Sequence, residues 1–101
     1  MTPEAKVKKK VVARLKAAAA YHFFPATHGY GASGVPDIVA CVRGHFLGIE
    51  CKAGKNTPTA LQEDNLIRIN DAGGVALVIN ETNLDELDHM LALLTKIGEN
   101  P

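Results

Sequence analysis

The sequence predicts an α/β fold, a mixed β-sheet flanked by α-helices. Three observations predict it. Two short apolar runs, 38–42 and 45–49, flank the pair Arg43-Gly44, the pattern of a β-hairpin. A helical stretch from Thr57-Pro58 to about Ala72 leads into the apolar run 75–79, a crossover of the length that a parallel strand pair needs. Apolar residues recur at helical spacing near both ends of the chain.

Each element has its own signal. Thr2 is an N-cap residue and Pro3 a favoured first helical residue. The helix they open runs to about Ala19, with Val7, Val11 and Leu15 as its buried stripe. Glu4 falls in the first turn, where an acid complements the helix dipole. A short strand is expected over 21–25 and a loop over 28–34. The loop contains Gly29, Gly31 and Gly34, a formal G-x-G-x-x-G match. A dinucleotide fingerprint must open a helix. This one runs into Val35-Pro36, where proline disfavours helix in the residue before it, so the nucleotide reading is rejected. The glycines instead let the backbone lie close to a cleft, where His28, Tyr30 and Ser33 are candidate phosphate contacts.

After the hairpin, Gly54 to Asn56 is a turn. Gln62, Leu66 and Ile69 share one face of the second helix, so Gln62 is a polar residue on an apolar stripe. Gly73-Gly74 stops that helix, and the continuous apolar run 75–79 suits a buried strand. Thr82 to Asp85 is a capping-box pattern, followed by a core stripe of Leu84, Leu87, Leu91 and Leu94.

The hairpin carries the chemistry. A two-residue loop at 43 and 44 pairs 42 with 45, which sets Asp37 opposite Glu50. Directly opposed residues share a face, with Cβ atoms roughly 4.5–5.5 Å apart. Lys52 keeps that face by the two-residue period of a strand, whereas Cys51 points the other way. Opposed carboxylates destabilise a sheet by themselves. A divalent cation between Asp37 and Glu50 removes the objection, and the Cys51 carbonyl is a further oxygen ligand within reach. Such a cluster activates water against a phosphodiester. The plainer alternative is a solvated strand end with Lys52 neutralising Glu50.

Composition bounds the rest. A chain of 101 residues is one domain, 1–101, with one modest core. It is 47% apolar and 22% charged, ordinary for a soluble globular protein. Neither a signal peptide nor a membrane span is legible near the N-terminus, and a cytoplasmic location is expected. Cys41 and Cys51 fall on opposite faces of the hairpin and read as small buried hydrophobes, not a disulfide. Formal net charge is zero, so bulk basicity does not announce nucleic acid. The charge is nonetheless segregated. Lys6, Lys9 and Lys10 lie among the lysines of the first helix, a candidate phosphate surface, and acids load the tail.

Pro36-Asp37 with Glu50-Cys51-Lys52 resembles the two halves of a PD-(D/E)xK nuclease core. More closely, the stretch 29–37, then Glu-Cys-Lys-Ala-Gly-Lys at 50–55, then Thr-Ala-Leu-Gln at 59–62 resembles the stand-alone phage type of the VRR-NUC (virus-type replication-repair nuclease) family. The resemblance covers about 3–79 and implies a restriction-endonuclease-like fold. It implies an endonuclease using Mg²⁺ or Mn²⁺ on branched DNA such as Holliday junctions, working as a homodimer. Asp37, Glu50, Lys52 and Gln62 would be catalytic, with Asp37, Glu50 and the Cys51 carbonyl on the metal, and the resemblance favours Glu4 as an additional metal-site carboxylate. Lys6, Lys9, Lys10, His28, Tyr30, Ser33 and Lys55 would meet DNA. A nicking or flap nuclease, or a non-cleaving DNA-binding subunit, are the alternatives; the presence of all of Asp37, Glu50 and Lys52 speaks against the last.

Overall fold

The computed structural model describes residues 1–26 and 34–99. The chain order is α1 (Pro3–Ala17), β1 (Tyr21–Phe23), β2 (Ile38–Val42), β3 (His45–Cys51), α2 (Ala60–Asp71), β4 (Val75–Ile79) and α3 (Leu84–Glu99). The four strands form one sheet in the order β1-β2-β3-β4. The first two pairings are antiparallel, and β3 with β4 is parallel. The fold is therefore the expected mixed sheet with helices on its faces.

The hairpin takes the register read from its turn, with Val42 opposite His45 and Ile38 opposite Ile49. Arg43 and Gly44 both have positive φ, 50° and 86°. That is the backbone of a primed two-residue turn, whose twist matches that of the strands. Alternation along β2 and β3 then divides the sheet into two faces. Ile38, Ala40, Val42, Leu47, Ile49 and Cys51 join Val7, Val11 and Leu15 of α1 and Leu87, Leu91 and Leu94 of α3 in one core. The opposite face carries Glu50 and Gly48, and α2 packs there. A Cβ on Gly48 would lie 2.8 Å from Ile69 Cδ1, so glycine is what lets the helix approach β3.

Several boundaries differ from the sequence reading. α1 ends at Ala17, because Ala19 turns left-handed at φ 56°. The Ala20 N–H then bonds the Leu15 carbonyl and the Ala19 N–H the Lys16 carbonyl, a Schellman closure. β1 stops at Phe23, short of Pro25, which has no N–H for a ladder. α2 begins at Ala60, since Thr59 and not Thr57 is the cap: the Thr59 hydroxyl accepts from the Gln62 N–H at 3.2 Å, and Gln62 Oε1 accepts from the Thr59 N–H at 2.9 Å. α3 begins at Leu84, after Asn83, whose side-chain Oδ1 accepts from the Asn80 N–H at 2.7 Å and whose amide donates to the Val78 carbonyl at 2.9 Å. Thr82, expected as the cap, instead bonds Asn80 Oδ1.

Two burial expectations are corrected. Only Ile79 of β4 is fully buried, because β4 is an edge strand of the described sheet. Cys41 is exposed, since it alternates onto the α2 side at a point the helix does not cover, beside the half-exposed Phe46. Cys51 is buried as expected, and both thiols are free.

Candidate active site

Asp37 stands one residue before β2, and continuing the ladder sets it opposite Glu50 of β3. The two strand ends are tied there by a side chain. Asp37 Oδ2 accepts the Cys51 N–H at 2.8 Å, so the aspartate takes the place of a backbone acceptor. This fixes one of its oxygens against β3.

Glu50 is only 1% exposed. Its Oε2 is buried without a hydrogen-bond partner. Burial, above all, pushes its carboxyl from 4.5 up to about 8; a hydrogen bond with Asp37, the Asp37 charge and the Glu4 charge add to the rise, and Lys52 opposes it. In the metal-free site the Glu50 carboxyl is thus held largely protonated near neutrality. An orphaned buried oxygen beside a second carboxylate is what an oxygen-seeking cation satisfies, so these residues fit a divalent metal. Among the described residues no three His, Cys, Asp or Glu side chains form a metal-holding group. Further ligands would therefore come from backbone oxygen, as from Cys51, from water or from substrate. The Cys51 thiol faces the core, where burial first and then the Asp37 and Glu50 charges push it up to about 12. It stays protonated and adds no charge to the pair.

Lys52 continues β3 past its last residue, its N–H bonding the Ile79 carbonyl at 3.0 Å, and is half-buried. Its charge bears directly on Glu50. Gln62 is the third helical residue of α2 and closes the capping box through its Oε1. This leaves its amide NH₂ as the side chain's donor. Glu4 is exposed on the first turn of α1, close enough for its charge to act on Glu50 and Cys51.

The sequence of the chain matches no family model and no curated protein. Its three-dimensional structure does resemble solved ones. A solved VRR_NUC domain superposes with a TM-score of 0.75 at 22% identity, over 88% of this chain and 97% of that one. The Archaeoglobus fulgidus protein Hjc, a Holliday junction resolvase from an archaeal hyperthermophile, superposes with a TM-score of 0.54 at 23% identity, over 76% of this chain and 68% of that one. The chain has the VRR-NUC fold.

Within this VRR-NUC fold the remaining candidates separate into groups. Asp37, Glu50 and Lys52 come together at the ends of β2 and β3, and Gln62 borders the same cavity as Asp37. Lys6, Lys9 and Lys10 lie exposed on α1, around a shallow depression of their own. Lys55 is exposed in the turn after β3. His28, Tyr30 and Ser33 lie outside the described residues. Gly34 has a role that the sequence did not disclose. At φ +81°, a Cβ on it would lie 2.6 Å from the Leu61 carbonyl carbon. It admits the first turn of α2 to the site. Sequence reasoning also passed over Lys8, which lines the Asp37 cavity. Its position four residues after Glu4, on the same helical side, was the available signal.

Proposed function

We propose that this chain is a metal-dependent endodeoxyribonuclease that hydrolyses phosphodiester bonds in branched DNA, of the kind a Holliday junction presents. The observation that carries the reading is the Asp37–Glu50 pair, with a buried Glu50 oxygen lacking any partner and Lys52 beside it. The likeness of fold to a VRR_NUC domain and to a Holliday junction resolvase supports the choice of substrate.

Asp37, Glu50 and the Cys51 carbonyl would hold Mg²⁺ or Mn²⁺, which when bound supplies Lewis acidity to phosphate and water. The chain's own groups do the rest. Asp37 keeps its place through the Cys51 N–H, which holds the two strand ends at a constant separation. Lys52 places an ammonium next to the carboxylates. There it orients the attacking water and stabilises the negative charge that builds on the phosphoryl oxygens. Gln62 presents its NH₂ to a water or a phosphate oxygen, its Oε1 being pinned by Thr59. Water adds to phosphorus and gives up a proton, one P–O ester bond breaks, the departing oxygen takes up a proton, and the strand is left with a phosphate end and a hydroxyl end.

The test sets four-way junction, flap and linear duplex DNA side by side, with Mg²⁺, Mn²⁺ or EDTA. Cutting should favour the junction, vanish with EDTA and return with either metal. Lys52→Ala should abolish cutting while DNA affinity stays largely intact. Cutting in EDTA, or a Lys52→Ala protein with unchanged rates, would overturn the assignment. Single nicks on linear duplex would point to a nicking enzyme, and binding without cutting to an accessory subunit.

A further inference from the structure

A cavity of about 340 Å³ opens beside Asp37. Lys8 of α1, Phe24 after β1, Gly34 and Pro36 before β2, and Gln62 of α2 line it together with Asp37. Lys8 is held at its wall. Its Nζ lies 4.4 Å from the centre of the Phe24 ring, and His22 meets the same ring edge-on at 5.8 Å and 71°. A cation over an aromatic face is attracted by the ring without being neutralised. No carboxylate pairs with Lys8 among the described residues, where the ion pair joins Arg14 to Asp88. The ammonium is nonetheless close enough to the strand end that its charge acts on the Cys51 thiol.

The opposite wall is also a donor. The capping box turns Gln62 Oε1 to the Thr59 N–H, which leaves the NH₂ as the amide's uncommitted group. Asp37, the acceptor in the lining, already spends Oδ2 on Cys51. A space walled by an ammonium and an amide NH₂ selects an oxyanion. The Asp37 charge keeps that anion towards Lys8, one step removed from the carboxylate pair.

We propose that this cavity is a second phosphate subsite, in which Lys8 and the Gln62 NH₂ hold the non-bridging oxygens of a phosphodiester adjoining the one that is cut. This rests on the nuclease reading above. Lys8 is then a substrate-binding residue distinct from Lys6, Lys9 and Lys10, which lie exposed around a separate depression. Phe24 serves as the platform that keeps the Lys8 stem from collapsing onto Asp37.

The experiment compares wild type with Lys8→Met, Lys8→Arg and, as a matched loss of charge at the far end of α1, Lys16→Met. Four-way junction affinity is measured in EDTA across a salt series, and KM and kcat in Mn²⁺. Lys8→Met should raise Kd and KM about tenfold, as expected for one charged hydrogen bond. Its log–log salt slope should be shallower by about 0.9, the signature of one lost phosphate contact. Its kcat should stay within about twofold, Lys8→Arg should recover most of the affinity, and Lys16→Met should change little. Lys8→Gln repeats the test should the methionine variant melt below the assay temperature. If wild type cuts DNA but Lys8→Met keeps its KM and salt slope, or changes no more than Lys16→Met, the subsite is wrong and the nuclease reading stands. If wild type neither binds nor cuts any of the DNAs, both fall.

Discussion

Glu50 is held in an unfavourable state that the fold tolerates for the sake of its position. Its carboxyl titrates near 8 in the folded protein, against 4.5 ordinarily. The folded chain therefore keeps a proton that the unfolded chain gives up. The stability tied to that proton is complete below about pH 4.5 and drains away as pH rises through about 8. In EDTA, the melting temperature should fall between mildly acidic and mildly alkaline pH. Glu50→Gln keeps the shape and a hydrogen-bonding group but cannot ionise. It should flatten this slope and raise the alkaline melting temperature by about 4–8 °C for each kcal/mol recovered. Thermal scans of both proteins across pH check it; an equally steep slope in the glutamine variant would locate the titration elsewhere. Asp37, Glu50 and Lys52 were legible because a two-residue turn and strand alternation are local rules. Lys8 and Phe24 were not, since their meeting depends on how α1 lies against the end of β1. Cys41 was misread although the same alternation governs it. Which strands of a sheet a helix covers is a tertiary fact, and α2 packs on β3 and β4 rather than on β2.

At the scale of elements, the site is a hairpin end with two helices brought to it. α2 reaches it only because Gly34 has no side chain. Gly34→Ala would place a methyl 2.6 Å from the backbone of Leu61 and strain a φ of +81°. Helix backbone cannot yield as a flexible side chain would, so α2 must shift outward and carry Gln62 with it. We expect a loss of about 1–3 kcal/mol, typical of overpacking, together with weaker cleavage. Urea titration gives the first and junction-cutting rates the second; wild-type values for both would mean the first turn of α2 is free to move. The start of α2 illustrates a limit of local signals. Thr57-Pro58 repeats the pattern that correctly opened α1 at Thr2-Pro3, yet Thr59 wins because Gln62 stands three residues on and completes a reciprocal box. β4 likewise read as buried from its apolar run, whereas sheet order makes it an edge.

Over the whole molecule, one chain carries one Asp37–Glu50–Lys52 set, whereas a four-way junction offers two symmetry-related strands. We expect a homodimer making paired incisions, the two-fold dimer being the commonest closed assembly of identical chains. The leucine stripe of α3 is not free to form its seam, since Leu87, Leu91 and Leu94 are consumed in the core. Light scattering at working concentration should give twice the chain mass of 10.8 kDa; a monomer making single nicks would contradict it. Among the described residues no helix is long and apolar enough to cross a membrane.

The bond from the Cys51 N–H to Asp37 also separates what the main chain and the side chain of one residue do. In Glu-x-Lys the middle residue is addressed through its main chain alone: its N–H serves the acid of the neighbouring strand, and its side chain leaves on the other side. Chemistry at the site therefore forbids only proline there, which has no N–H to give. Every other restriction on that letter is set by Val7, Val11 and the rest of the interior it helps to fill. A replacement at Cys51 therefore probes the packing of the interior and a replacement at Glu50 or at Lys52 probes the strand end, although the three residues are consecutive in the chain.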